Sequence, residues 1–223
     1  MATDAAALPA KQPASRKPNP WIPRAVFAAA CLPLGNLGLG LLLGRLGANP
    51  IERSLNQLGW WTLVILFCSL ACTPLQIVFG LKWPLRVRRM LGLFAFFYAA
   101  LHFLTYAVLD QGLDVGTLWK DVVKRKFITI GFAAFVLLIP LAVTSTNKWM
   151  RRLGFPKWKA LHRLVYLIGI LGVIHFVWRV KKDHTEPILF AIVLGVLLGV
   201  RLVDRFRHAR PIKLEGKRST VGG

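Results

Sequence analysis

"FYAALHFLTYAVLD", residues 97–110, sets one imidazole, His102, in a run that is otherwise mostly apolar. In a soluble protein such a histidine needs no explanation, but in a bilayer an ionisable side chain is costly and marks function by default. The solvent around it therefore decides the fold. The 223 residues are 55% hydrophobic and 17% charged, well short of the charge that soluble domains carry, about 25%. A hydrocarbon core of roughly 30 Å takes about 20 apolar residues per helix. Working outward from His102, six such stretches can be marked, near 25–46, 57–80, 90–109, 127–146, 161–179 and 187–205. The expectation is an all-α integral membrane protein, a six-helix transmembrane bundle. Residues 1–24 are expected to form a disordered arm, 25–206 the membrane domain and 207–223 a basic tail.

The formal net charge of +21 has a simple account in the bias of Lys and Arg toward the cytoplasmic face. With the N-terminus inside, twenty basic residues fall on that face and eight on the other, leaving Arg45 and Arg201 within helices. Both termini are thus expected in the cytoplasm, with membrane lipids and no nucleic acid as partner of the basic segments. The first residues lack the pattern of a cleaved secretory signal.

Some apparent motifs carry no chemistry. Cys31, Cys68 and Cys72 all fall in expected spans without a CxxC pair, which argues against covalent c-type haem attachment and a zinc site; Cys68 and Cys72, four positions apart on one helix face, read as core residues. "GLGLLLG", 38–44, has the wrong spacing for a dinucleotide fingerprint and lies in a span. Gly40 with Gly44, and Gly195 with Gly199, fit the small-xxx-small pattern of close helix packing.

Of five histidines, His184 and His208 fall in a loop and the tail, whereas His102, His162 and His175 fall in the third and fifth spans. Both spans start at the expected cytoplasmic face, so the rise per residue puts His102 about 18 Å and His175 about 21 Å from it. Two imidazoles at one depth on parallel helices are what a haem with two axial ligands requires. Such a haem relays electrons, since two protein ligands leave no open position. Each ring needs an acceptor for its second nitrogen, expected at the carbonyl of Tyr98 or Leu171, one turn earlier, or at the hydroxyls of Tyr98 and Tyr106. His162 lies roughly 20 Å below His175 and rotated about 140° from it on an ideal helix; Gly169 and Gly172 are the expected site of any irregularity. Opposite His162 stand Arg88 and Arg89, able to bind haem propionates or another anionic cofactor. His162 is accordingly expected to serve a second cofactor or a weaker site.

"LGLFAFFYAALHFLTY", "FITIGFAAFVLLIPLAVTS" and "WKALHRLVYLIGILGVIHFVW" resemble the MsrQ family, formerly YedZ, the haem-binding membrane subunits of bacterial methionine-sulfoxide reductase systems. That family is similar in turn to the transmembrane domains of ferric reductases and NADPH oxidases. The resemblance implies a ferric reductase-like bundle in the bacterial inner membrane, holding haem b (one or two) on His102, His175 and His162. It also implies FMN, and electron delivery to a periplasmic molybdopterin-containing catalytic subunit that reduces methionine sulfoxide in oxidised proteins. The chain itself encodes no nucleotide domain and no site for the sulfoxide, so electrons must come from the quinone pool or a cytoplasmic flavin reductase. Two departures stand out: the third span lacks the oxidases' second histidine, and Lys126–Phe127 replaces an expected Pro-aromatic pair, a change read as confined to a loop. Direct ferric reduction, or a transporter or scaffold without haem, are the alternative readings.

Overall fold

A computed structural model describes residues 19–208; the rest of the expected arm and tail lie outside the described residues. The six expected spans are all helical: α1 (Trp21–Leu42), α2 (Pro50–Phe79), α3 (Pro84–Leu104) continuing as a π-helical turn over Thr105–Asp110, α5 (Lys126–Val143), α7 (Phe155–His162) with α8 (Leu164–Arg179), and α9 (Thr185–His208). Short helices α4 (Val115–Lys124) and α6 (Asn147–Leu153) lie in the connections. They name the two ends of the bundle, the α4 end and the α6 end.

Helix boundaries follow local chemistry. α1 begins at Trp21, inside the segment expected to be disordered. α2 starts well before residue 57 because Asn49 caps it: the Asn49 side chain accepts from the Glu52 N–H at 3.1 Å, and Pro50 occupies the first turn, where its missing N–H costs nothing. Gly80, at φ 68°, ends α2 in the left-handed conformation that glycine adopts without strain. α4 was expected as loop. Its apolar residues Val115, Leu118, Trp119, Val122 and Val123 recur at helical spacing. Asp114 caps it, accepting from the Gly116 and Thr117 N–H groups at 2.9 and 3.2 Å. The Thr117 hydroxyl, followed by these backbone N–H groups, holds the Asp114 carboxyl below the usual carboxylate range.

α2 packs along α3 and α5 along α8, giving two close pairs that face each other more loosely; α1 lies against α2 and α3, and α9 against α2 and α8. The core centres on α2, through Leu58, Leu63, Leu66 and Leu70. Apolar side chains on the outer faces, such as Leu32 on α1 and Ile188, Ile192 and Val196 on α9, are exposed, as a bilayer-facing surface requires.

Prolines inside spans free backbone groups that lipid cannot satisfy, and neighbouring helices supply the partners. At Pro33 in α1 the buried Tyr98 hydroxyl inserts into the next rung, donating to the Ala30 carbonyl at 2.8 Å and accepting from the Leu34 N–H at 3.1 Å. Pro74 in α2 cannot donate to the Leu70 carbonyl, and the Arg201 guanidinium of α9 does so instead. Arg201 also donates to the Tyr166 hydroxyl at 2.8 Å. Its place inside a span is thereby explained.

The expected glycine packing is only partly found. A Cβ on Gly40 would meet Leu46, Gly44 turns at φ 64°, and among the described residues a Cβ on Gly195 or Gly199 would meet no neighbouring element within 4 Å. Gly169 packs against Leu194 and Leu70, and Gly172 against Leu63, so neither is where the fifth span becomes irregular. The break is at Arg163, between α7 and α8. Cys72 is buried, but Cys68 is exposed on the outside of α2 rather than in the core.

Candidate functional site

His102 on α3 and His175 on α8 come together between the two helix pairs. Their ring centres are 6.3 Å apart and their planes stand at 83°. The ring of His102 is held by the Leu55 carbonyl of α2, 3.0 Å from Nδ1, and that of His175 by the Phe127 carbonyl of α5, 2.7 Å from Nδ1. A carbonyl only accepts, so each Nδ1 carries the proton and each Nε2 keeps its lone pair. Among the described residues neither Nε2 makes a hydrogen bond.

The acceptors are thus not the carbonyls one turn earlier on the same helices. Nor are they tyrosine hydroxyls: that of Tyr98 serves α1, and that of Tyr106 donates to Asp121 at 2.9 Å. A carbonyl of the histidine's own helix points along that helix and away from the projecting ring, whereas a ring reaching across to a neighbouring helix can meet a carbonyl there from the side, as its second donor. The approach depends on glycine. Gly59 lies one turn beyond Leu55, and Gly131 one turn beyond Phe127. A Cβ on Gly59 would come 3.1 Å from Cε1 of His102, and one on Gly131 only 2.6 Å from Nδ1 of His175. Each histidine therefore rests in the same cradle, a carbonyl followed four positions later by glycine. Sequence reading passed over both glycines, although their shared spacing was visible. The Lys126–Phe127 departure lies in the first turn of α5 rather than in a loop, next to the Phe127 backbone carbonyl that His175 uses.

A cavity of about 480 Å³ opens between the pairs, lined by both histidines and both glycines and, toward the α6 end, by Leu63, Leu66, Leu138 and Ile168. Among the described residues no cluster of three or more His, Cys, Asp or Glu could cage a metal. A pair of neutral imidazoles suits a metal whose remaining positions a macrocycle fills. The distance fits as well: with about 2 Å per metal–imidazole bond and roughly 1.2 Å from nitrogen to ring centre, rings on opposite sides of one metal lie about 6 Å apart.

His162 is not part of this arrangement. It ends α7 at the α6 end, where its Nε2 pairs with the Thr144 hydroxyl at 3.1 Å and its ring lies against Trp158, with centres 4.1 Å apart. Arg88 and Arg89 are within electrostatic reach of it, as their expected level implied. Both are engaged: Arg88 donates to the Thr73 hydroxyl at 3.3 Å and Arg89 to the Asn147 side-chain oxygen at 2.8 Å.

Comparison with known proteins agrees with this architecture. The family model described as ferric reductase like transmembrane component matches residues 58–173, a stretch that includes His102 and His162 and ends two residues before His175. Proteins named protein-methionine-sulfoxide reductase heme-binding subunit MsrQ are similar along most of their length. That of Rhodospirillum rubrum is 54% identical over 83% of this chain and 89% of its own. That of Ralstonia nicotianae is 49% identical over 86% and 89%, and that of Deinococcus radiodurans 45% identical over 89% and 99%. With six apolar spans, a match across half of its length to a transmembrane family, and this identity to bacterial relatives, the chain belongs to the MsrQ family of multi-pass, ferric reductase-like membrane proteins.

Proposed function

We propose that the chain is a b-haem electron-transfer subunit of the bacterial inner membrane, carrying electrons outward to a periplasmic molybdopterin-containing methionine-sulfoxide reductase. The observation that carries this reading is the His102–His175 pair: two rings 6.3 Å apart, each with Nδ1 tied to a carbonyl, lining one cavity inside the span region. His102 and His175 would hold the iron, which when bound supplies a one-electron couple. The surrounding leucines and phenylalanines exclude water, and the two carbonyls fix the Nδ1–H tautomer and the aim of both imidazoles.

The distribution of Lys and Arg supports a cytoplasmic α6 end and a periplasmic α4 end. On that orientation the haem lies nearer the periplasm, on the side of the acceptor. His162, Arg88 and Arg89 lie on the donor side, toward the quinone pool or a flavin reductase, where they would serve a second cofactor or a weaker site. His162 would have to give up its Thr144 bond to act as a ligand.

The test is a reduced-minus-oxidised spectrum of purified variants. His102→Ala and His175→Ala are expected to lose the same low-spin haem, while His162→Ala retains it and is reduced more slowly from the cytoplasmic side. Loss of one shared haem in His162→Ala and His102→Ala, with His175→Ala unaffected, would refute the pairing. Reporter fusions after Gly112 and after Val221 are expected to read opposite compartments.

A further inference from the structure

The cavity is not uniform along its length. Below the histidines its lining is almost wholly apolar, whereas its charged and amide side chains, Glu52, Asn56, Asp110, Arg125 and Arg179, all lie beyond them toward the α4 end. Arg179 follows His175 by four positions, on the same face of α8 and about 6 Å further along. Arg125 precedes Phe127, whose carbonyl holds that same histidine.

Most of these polar groups are already occupied. The Glu52 carboxylate accepts from the Asn49 amide at 3.2 Å and that of Asp110 from the Gln111 amide at 2.7 Å. Arg125 uses its Nε on Asp121, at 3.1 Å, and the other Asp121 oxygen accepts from Tyr106. That leaves the terminal nitrogens of Arg125 outside the ion pair while fixing its position. Arg179 differs: it donates to the neutral side-chain oxygen of Asn56, and among the described residues no carboxylate lies within 4.0 Å of it. A half-buried guanidinium at the mouth of an apolar cavity, held by an amide and with its nearest carboxylate, that of Glu52, beyond ion-pair distance, is arranged for an anion from outside.

We infer that this rim is a carboxylate-binding subsite, with Arg179 as its primary contact and Arg125 as its second. A macrocycle in the cavity then enters with its two carboxylates toward α4 and its apolar edge toward Leu66 and Ile168. The inference rests on the haem reading above and adds the direction of insertion and the residues that fix it. Planar guanidinium groups suit this role because they bind carboxylates through two parallel hydrogen bonds.

The test compares haemin with its dimethyl ester, which has the same ring and iron but no carboxylates. Full-length protein produced under haem limitation is titrated with each in detergent, and binding is followed by the bis-imidazole absorption bands. Wild type is expected to prefer the free acid at least tenfold, a difference of about 1.4 kcal/mol. Arg179→Gln should weaken acid binding by roughly that factor and leave ester binding unchanged. Arg125→Gln should act in the same direction but less strongly, and Arg179→Lys should recover part of the loss. Equal binding of acid and ester by wild type overturns the subsite without any variant. Equal losses for both ligands in Arg179→Gln would mean a purely structural arginine and would also overturn it. Failure of wild type to bind either form would instead sink the haem reading itself.

Discussion

Gly131→Ala is the sharpest test of how the histidines are held. The new Cβ would come 2.6 Å from Nδ1 and 2.8 Å from Cε1 of His175, whereas such contacts ordinarily lie at about 3.5–4.0 Å. The ring must therefore withdraw by about 1 Å. Its hydrogen bond to Phe127, now 2.7 Å, would stretch to roughly 3.6 Å, beyond bonding range. The net loss of that bond is about 1 kcal/mol, and losing the outer partner of a metal-ligating histidine commonly weakens metal binding about 10–100-fold. Alanine also returns up to about 1 kcal/mol of helix propensity to α5, so the fold should survive while the site suffers. Gly59→Ala places its Cβ at 3.1 and 3.2 Å from His102, a few tenths of an ångström tighter than ordinary contact, and should do less harm. Purified variants are to be titrated with haem and scored by their reduced bands, with thermal unfolding as the control for folding. Wild-type affinity in Gly131→Ala, or a larger defect in Gly59→Ala, would refute the cradle argument.

The perpendicular imidazole planes, at 83°, predict a strongly anisotropic low-spin ferric resonance dominated by one large-g feature; a rhombic three-line spectrum at helium temperature would contradict them. Tyr98→Phe is expected to cost about 1–3 kcal/mol by stranding groups in α1 and to leave the haem bands in place, as unfolding and absorbance measured on one sample would show. Arg201→Met should destabilise by a similar amount. In a Pro74→Ala background, where α2 can satisfy the Leu70 carbonyl itself, the penalty should shrink, and a double-mutant cycle on unfolding midpoints checks it.

Hydropathy made the six spans legible because lipid imposes a length and a composition on any helix that crosses it. The common depth of His102 and His175 followed from helix rise alone. What sequence reading missed depends on side-to-side geometry. Rise gives depth but no azimuth, so the carbonyls of Leu55 and Phe127 could not be told from those one turn earlier. The roles of Tyr98 and Arg201 needed knowledge of which helices touch, although Pro33 and Pro74 marked where unpaired backbone groups would arise. α4 was passed over because its apolar arc is short and interrupted by charge. The break at Arg163 carries neither glycine nor proline, and no local residue pattern announces it.

The two cradles are each closed within one helix pair: α3 delivers His102 to α2, and α8 delivers His175 to α5. Each pair is also nearly contiguous along the chain. During synthesis the first half can therefore fix the tautomer and aim of its imidazole as soon as one hairpin has entered the bilayer, before the second half has left the ribosome. The later hairpin can do the same independently. Joining them then brings together two prepared surfaces, and the ordering cost of the ligands is met by local folding rather than at the moment when metal arrives.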